Sequence, residues 1–252
     1  MLCKIADLIV DIPSADGLEE HCREYGYTGT DTPVLTIDPT RYRREAYPGG
    51  IIRASLAYME SAHQFYMQLP DFQGFCIHAS AVILDGKAYL FSGQCGAGKS
   101  THARLWCSTF PGAVILNDDK VVLRCIDGVW YAYGTPWCGT EGIHRNAKAP
   151  VAGVCFMEQS NHNAIHRLTP AQALQPVLAQ TLYKFGQPEQ LDPMLTLLDR
   201  FLQTVPVFRL ENRPESAAAI LSKETMEMGC CKMRELPDRT RRGDDSSPAG
   251  GQ

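Results

Sequence analysis

Eight consecutive residues, Gly93-Gln94-Cys95-Gly96-Ala97-Gly98-Lys99-Ser100, match the pattern GxxxxGK[ST] in full. The residue types have a chemical logic. Glycines let the backbone curl so that its N–H groups point inward around an anion. A helix starting at the end of the loop adds the positive partial charge of its N-terminus. A lysine at position 99 reaches the β- and γ-phosphates of a nucleotide, and the Ser100 hydroxyl is suited to ligate Mg2+. With Thr101 behind it, the stretch is a candidate site for ATP and Mg2+. A glycine-rich turn that matches by chance is the competing reading. The apolar run 88–92 before the loop and the helical pattern at 101–109 after it weigh against chance. Cys95 is either a thiol made redox-sensitive by a helix N-terminus or a small residue of which only the backbone matters, and the second reading is preferred.

Three other places carry candidate chemistry. Asn117-Asp118-Asp119 closes the apolar run 113–116. A carboxylate at the end of a buried strand near such a loop commonly faces the metal. Two adjacent carboxylates divide the work, one holding Mg2+ and one accepting a proton from an attacking hydroxyl. The same triplet also makes a good turn. His78 lies in the strand-like run 75–84, where alternation puts Cys76, His78, Ser80 and Val82 on one face. A single strand histidine is more often structural than catalytic. The segment 134–146 carries Arg145, a candidate to stabilise charge on a transferring phosphoryl group; a solvated loop is the other reading.

These residues need elements to hold them. Residues 1–48 read as short strands and turns, and Pro48-Gly49-Gly50 breaks the chain. Residues 51–69 carry Ile52, Leu56, Met59, His63, Tyr66 and Met67 at helical steps of three and four. Asp85-Gly86 and Asp127-Gly128 are hairpin turns, joining 75–84 to 87–92 and 120–126 to 129–133. Residues 134–150 read as loop, 151–158 and 164–168 as strands, 170–185 and 193–204 as helices, 205–210 as a strand and 214–221 as a short helix. The expected organisation is an N-terminal subdomain over 1–70, a nucleotide-binding core over 71–222, and a polar, disordered tail over 223–252 whose removal leaves the fold unchanged.

Composition narrows the function classes. The 252 residues suffice for a full core. With 24 Lys+Arg against 28 Asp+Glu, the net charge of −4 gives no basic surplus for nucleic acid. No run of 18 apolar residues suggests a membrane span, and no cleavage pattern suggests a signal peptide. The ten cysteines contain no CxxC pair, so the spacing carries no zinc-ribbon signal. A reduced, cytoplasmic protein is expected, and the redox question stays open only for Cys95 and Cys138.

Taken together, His78-Ala79-Ser80, the loop 93–101, Asn117-Asp118-Asp119-Lys120 and the later GTPWCGTEG segment resemble the HPr kinase/phosphorylase and PEP carboxykinase superfamily, specifically its small HPr-kinase-like members. The resemblance covers roughly residues 70–212. It implies an α/β fold with a mixed, twisted sheet around the loop and a small N-terminal α+β subdomain. It also implies an Asp acting as base toward a serine hydroxyl with a histidine beside it. Carried to this chain, Asp118 would be that base, His78 would orient it, and Asp119 would support Mg2+ with Ser100. The expected activity is ATP-dependent phosphorylation of a hydroxyl on a protein, peptide or small molecule. A nucleotide hydrolase or phosphorylase, and a non-catalytic ATP-binding module, are the alternatives.

Overall fold

The computed structural model describes residues 1–15, 17–38, 53–139, 141–183 and 188–234. The chain opens on a hairpin. Ala6 and Asp7 both take positive φ, 51° and 61°, and reverse the chain in two residues between β1 (Leu2–Ile5) and β2 (Leu8–Asp11). A third short strand, β3 (Leu35–Thr36), pairs parallel with β2. Between them runs a short helix that the sequence reading missed, α1 (Leu18–Cys22), which buries Leu18 and Cys22. The long helix α2 (Arg53–Gln68) matches the expected segment from residue 53, and Leu69–Phe72 tighten into a 3₁₀ turn at Pro70. The predicted break at Pro48-Gly49-Gly50 lies outside the described residues.

The main sheet grows from two further hairpins. Strand β4 (Gly74–Leu84) turns at Asp85-Gly86 into β5 (Lys87–Ser92); β7 (Lys120–Ile126) turns at Asp127-Gly128 into β8 (Val129–Tyr133). Both turns have positive φ at both residues, as Asp-Gly hairpins require. The helix α3 (Lys99–Thr109) and the strand β6 (Val114–Asn117) lie between the two hairpins. Strand β9 (Lys148–Gln159) begins three residues before the expected run, and β10 (Ala164–Leu168) follows it.

Helix α4 (Pro170–Gln180) starts at a capping box: the Thr169 hydroxyl accepts the Gln172 N–H while the Gln172 side chain accepts the Thr169 N–H. It ends earlier than its pattern suggested because β11 (Thr181–Leu182) is drawn into pairing with β4. Helix α5 (Pro188–Thr204) begins before the expected Pro193, and β12 (Val207–Asn212) follows.

The last helix corrects the sequence reading. α6 runs over Ser216–Arg234 instead of stopping near 221. Met226 on it is fully buried against α3 and the sheet, so the helix stays on the folded body past residue 222. The remainder of the expected tail, from 235 on, lies outside the described residues.

The resulting sheet is mixed. Its path is β10-β12-β9-β5-β4-β7-β8, with β6 and β11 paired to β4 and a further pairing between β8 and β9. Strands β5, β9 and β12 are parallel, and the other pairings are antiparallel. Among the described residues no helix is long and apolar enough to cross a membrane. Strand β4 is the axis of this arrangement. One face contributes Phe75, Ile77, Ala79 and Ala81 to the core under α4 and α5. On the other face, Cys76 packs toward the N-terminal sheet and α2, while Val82 and Leu84 pack toward α3 and α6. Between those two apolar patches stand His78 and Ser80, and this polar interruption marks the cleft.

Candidate functional site

The glycine-rich loop joins β5 to α3. Gly93 has φ 140°, and a Cβ there would come within 2.9 Å of the Met157 carbonyl on β9. Only glycine lets the end of β5 lie that close to its parallel neighbour. Beyond it, Gly96 and Gly98 also take positive φ. The Ala97 N–H closes on the Gln94 carbonyl at 3.1 Å, and Gln159 braces the loop from β9 by donating to the Gly96 carbonyl at 2.7 Å. Lys99 is the first residue of α3. Its ammonium folds back onto the Gly93 and Gln94 carbonyls at 3.0 and 3.1 Å, and burial lowers its pKa.

The acidic pair sits where two strands succeed one another along one edge of β4. Ala81 faces Asn117 at the end of β6, and His78 faces Lys120 at the start of β7. Asp118 and Asp119 occupy the step between them. Asn117 makes the turn: its Oδ1 accepts the backbone N–H groups of Asp119 and Lys120, both at 3.1 Å, and its Nδ2 donates to the Thr135 and Trp137 carbonyls. The turn and site readings of the triplet are therefore compatible, since Asn117 folds the backbone and leaves both carboxylates on the cleft.

His78, Lys99, Ser100, Thr101, Asp118 and Asp119 line one cleft of about 540 Å³ together with Cys95, Gly96, Gly98, Cys138, Gly139 and Glu141. Gly93, Gln94 and Ala97 belong to the same loop but line a neighbouring cavity on its far side.

Contacts within the cleft divide the two carboxylates. Asp119 Oδ1 is 2.9 Å from His78 Nε2, and both Asp119 oxygens lie 3.0 Å from Lys120 Nζ. Burial acts to raise its pKa, but the hydrogen bond from His78 and the charge of Lys120 prevail and hold it down at about 2. Asp118 is nearly buried, and its Oδ1 accepts the Gly139 N–H at 2.7 Å. Ser80 Oγ donates to the Asp118 carbonyl at 3.0 Å and stands 3.5 Å from Ser100 Oγ.

Two expectations change. His78 was expected to orient Asp118, yet it contacts Asp119, because the register that sets His78 opposite Lys120 brings it beside the residue preceding that lysine. Arg145 was expected near a transferring phosphoryl group. Its side chain donates instead to the Ile115 carbonyl at 3.1 Å, and it does not line the cleft. The local reason is its backbone, which pairs with Leu116 and carries the guanidinium to the outer edge of β6. The cations near the carboxylates are Lys99 and Lys120, and an Arg104–Glu141 ion pair stands at the rim.

Sequence reasoning assigned no role to Ser80 or to the Gly139 N–H. Ser80 was visible in the alternation that placed it beside His78. Gly139 carried no local signal, since it reaches Asp118 only through tertiary folding.

No protein-family model matches the chain, and no curated protein matches it. Among solved structures, the chain is similar to the HPr(Ser) kinase/phosphatase from Coxiella burnetii. The two share 11% identity at a TM-score of 0.34, with 61% of this chain and 98% of that one covered. The relationship is a distant structural one.

Proposed function

We propose that the chain is an ATP-dependent, Mg2+-requiring phosphotransferase that moves a γ-phosphoryl group to a serine or similar hydroxyl of a protein, peptide or small molecule. The supporting observation is the convergence of Lys99, Ser100, Asp118 and Asp119 on one cleft, with His78 and Lys120 behind Asp119. The donor set suits the metal. A hydroxyl and a carboxylate are hard oxygen ligands of the kind Mg2+ takes. Asp119, kept ionised by its two neighbours, and Ser100 would hold it. When bound, Mg2+ supplies positive charge to the phosphate oxygens.

The protein's own groups account for the remaining work. The loop's backbone N–H groups and Lys99 bind the phosphates. His78 and Lys120 fix the direction of the Asp119 carboxylate. Asp118 accepts the proton of the incoming hydroxyl; its second oxygen remains for this, because Gly139 takes Oδ1. The acceptor oxygen forms its bond to the γ-phosphorus as the bond from that phosphorus to the ADP oxygen breaks.

γ-Labelled ATP supplied with serine-containing peptides and small hydroxyl compounds tests the reading. Transfer of label is expected, with the Asp118→Asn variant slowed by roughly 10²–10⁴-fold in kcat at unchanged nucleotide affinity. Equal rates in the two proteins with a true acceptor would remove Asp118 from the base role. ATP binding with no transfer and no hydrolysis would make the protein a nucleotide-binding module instead.

A further inference from the structure

On the N-terminal side of the Asp118–Gly139 contact lies a second group of side chains that the phosphotransfer reading does not use. His21 comes from α1, and Cys138 and His144 come from the segment between β8 and β9. One nitrogen or sulfur atom from each lies within 4.8 Å of the other two, and all three side chains are partly buried. Around a tetrahedral zinc ion with bonds of about 2.0–2.3 Å, such atoms stand about 3.3–3.8 Å apart, so a contraction of about one ångström closes the set. The ring nitrogens of His21 make no hydrogen bond among the described residues, although the ring is half-buried and its centroid lies 4.7 Å from that of Tyr58.

The surroundings match those of a held ligand set. The Tyr25 hydroxyl lies 3.2 Å from His144 Nδ1; with its oxygen accepting a hydrogen bond donated by Nδ1–H, it would hold the tautomer whose Nε2 lone pair is free for a metal. Cys138 is positioned through its backbone, whose N–H donates to the Tyr58 hydroxyl at 2.7 Å; the same hydroxyl lies 3.8 Å from the sulfur. Asp118 adds negative charge nearby, favouring a cation.

We propose that His21, Cys138 and His144 form a zinc site, with a water molecule as the fourth ligand. Nitrogen and sulfur donors select a borderline metal over Mg2+, which takes oxygen. Binding converts the Cys138 thiol to thiolate, and its proton passes to solvent. The ion ties α1 to the backbone that presents the Gly139 N–H to Asp118.

The full chain, stripped with a chelator and kept reduced, is titrated with Zn2+, Co2+ and Mg2+. One equivalent of Zn2+ is expected to bind, and Co2+ should give a near-ultraviolet thiolate charge-transfer band together with tetrahedral d–d absorption. Cys138→Ser should abolish the band, and Cys95→Ser should keep it. Tyr25→Phe should weaken Zn2+ binding by roughly 10–100-fold, and His21→Gln by at least as much. Circular dichroism checks that each variant folds, and the two substitutions come from different sides of the site, so one suffices if the other does not fold. Unchanged Zn2+ affinity in a folded His21→Gln or Tyr25→Phe protein would overturn the proposal. So would a Co2+ spectrum lacking the thiolate band, or a band lost in Cys95→Ser.

Discussion

Asp119 stays ionised because of what touches it. Its side chain is 30% exposed, and burial by itself would push the carboxyl toward its neutral form. The imidazole of His78 and the ammonium of Lys120 reverse that tendency. The sign of the consequence follows from linkage. The folded-state pKa of about 2 lies below the ordinary aspartate value of 3.8, so the stabilisation is complete above that upper value and is lost as pH falls through the lower one. At most about 2 kcal/mol is involved, less screening by solvent. Denaturant melts at pH 5, 4, 3 and 2 should show wild type losing stability relative to Asp119→Asn across that interval. Parallel curves for the two proteins would mean that the ion pairs add nothing to the folded state. Lys99 is a different case. It is anchored on carbonyls of its own loop, and a nucleotide phosphate would have to compete with those contacts for the ammonium.

The elements explain why these side chains meet at all. β4 offers a partly polar strip only at His78 and Ser80, and β6 and β7 share its edge so that their junction falls beside that strip. On the opposite edge β5 ends at Ser92, whose hydroxyl donates to the His78 carbonyl at 2.8 Å, and the loop leaves from there. α3 is held from behind. The indole N–H of Trp106 donates to His102 and to Ser222 on α6, and burial holds the pKa of His102 down at about 4. Further along α6, Met226 is buried beside Gly153 and Phe208. Met226→Ala is expected to cost about 2–5 kcal/mol in urea denaturation, because a close-packed interior relaxes only partly into the void. A cost near zero would mean that the final turns of α6 are not integral to the fold. Truncation before residue 224 should carry a larger penalty, contrary to the expectation drawn from composition.

At the scale of the whole molecule, three apolar clusters surround β4 among the described residues, and each contains one tryptophan. Trp130 packs with Phe75 and Phe201 under α5, Trp106 with Tyr89 and Phe91 under α3, and Trp137 with Phe65 and Tyr66 beneath α2. The third cluster joins β1, β2 and α1 to Cys76, Val122 and Tyr133 of the main sheet. The N-terminal segment therefore shares its core with the site-bearing body. Arg124 reinforces this by donating from β7 to the Ala6 carbonyl at 2.6 Å, and Tyr133 by donating to Asp7 at 2.8 Å. Proteins retaining one tryptophan each, with the other two changed to Phe, should give coincident urea midpoints once corrected for the cost of the substitutions. A separate, lower midpoint for Trp137 would show that the N-terminal subdomain opens on its own.

Sequence alone carried most of the features encoded within a few neighbouring residues. The Asp-Gly hairpins, the glycine-rich loop, the run of α2 and the shared face of His78 and Ser80 depend on local φ, periodicity and steric freedom, and all could be read directly. The hairpin at Ala6-Asp7 escaped because Asp7 has no glycine, asparagine or proline beside it and stands inside one nearly continuous apolar run. α6 was cut short because charged residues on its exposed side hid the buried face that keeps it helical. What only the tertiary structure decided depends on residues far apart in the chain. The register of β4 against β7 gave His78 to Asp119 instead of Asp118. The pairing of residue 145 with β6 drew Arg145 away from the cleft. The packing of α1 against the β8–β9 segment set His21 beside Cys138 and His144. Strand register and helix docking are set by the sum of many distant contacts, and no short stretch of sequence contains that sum.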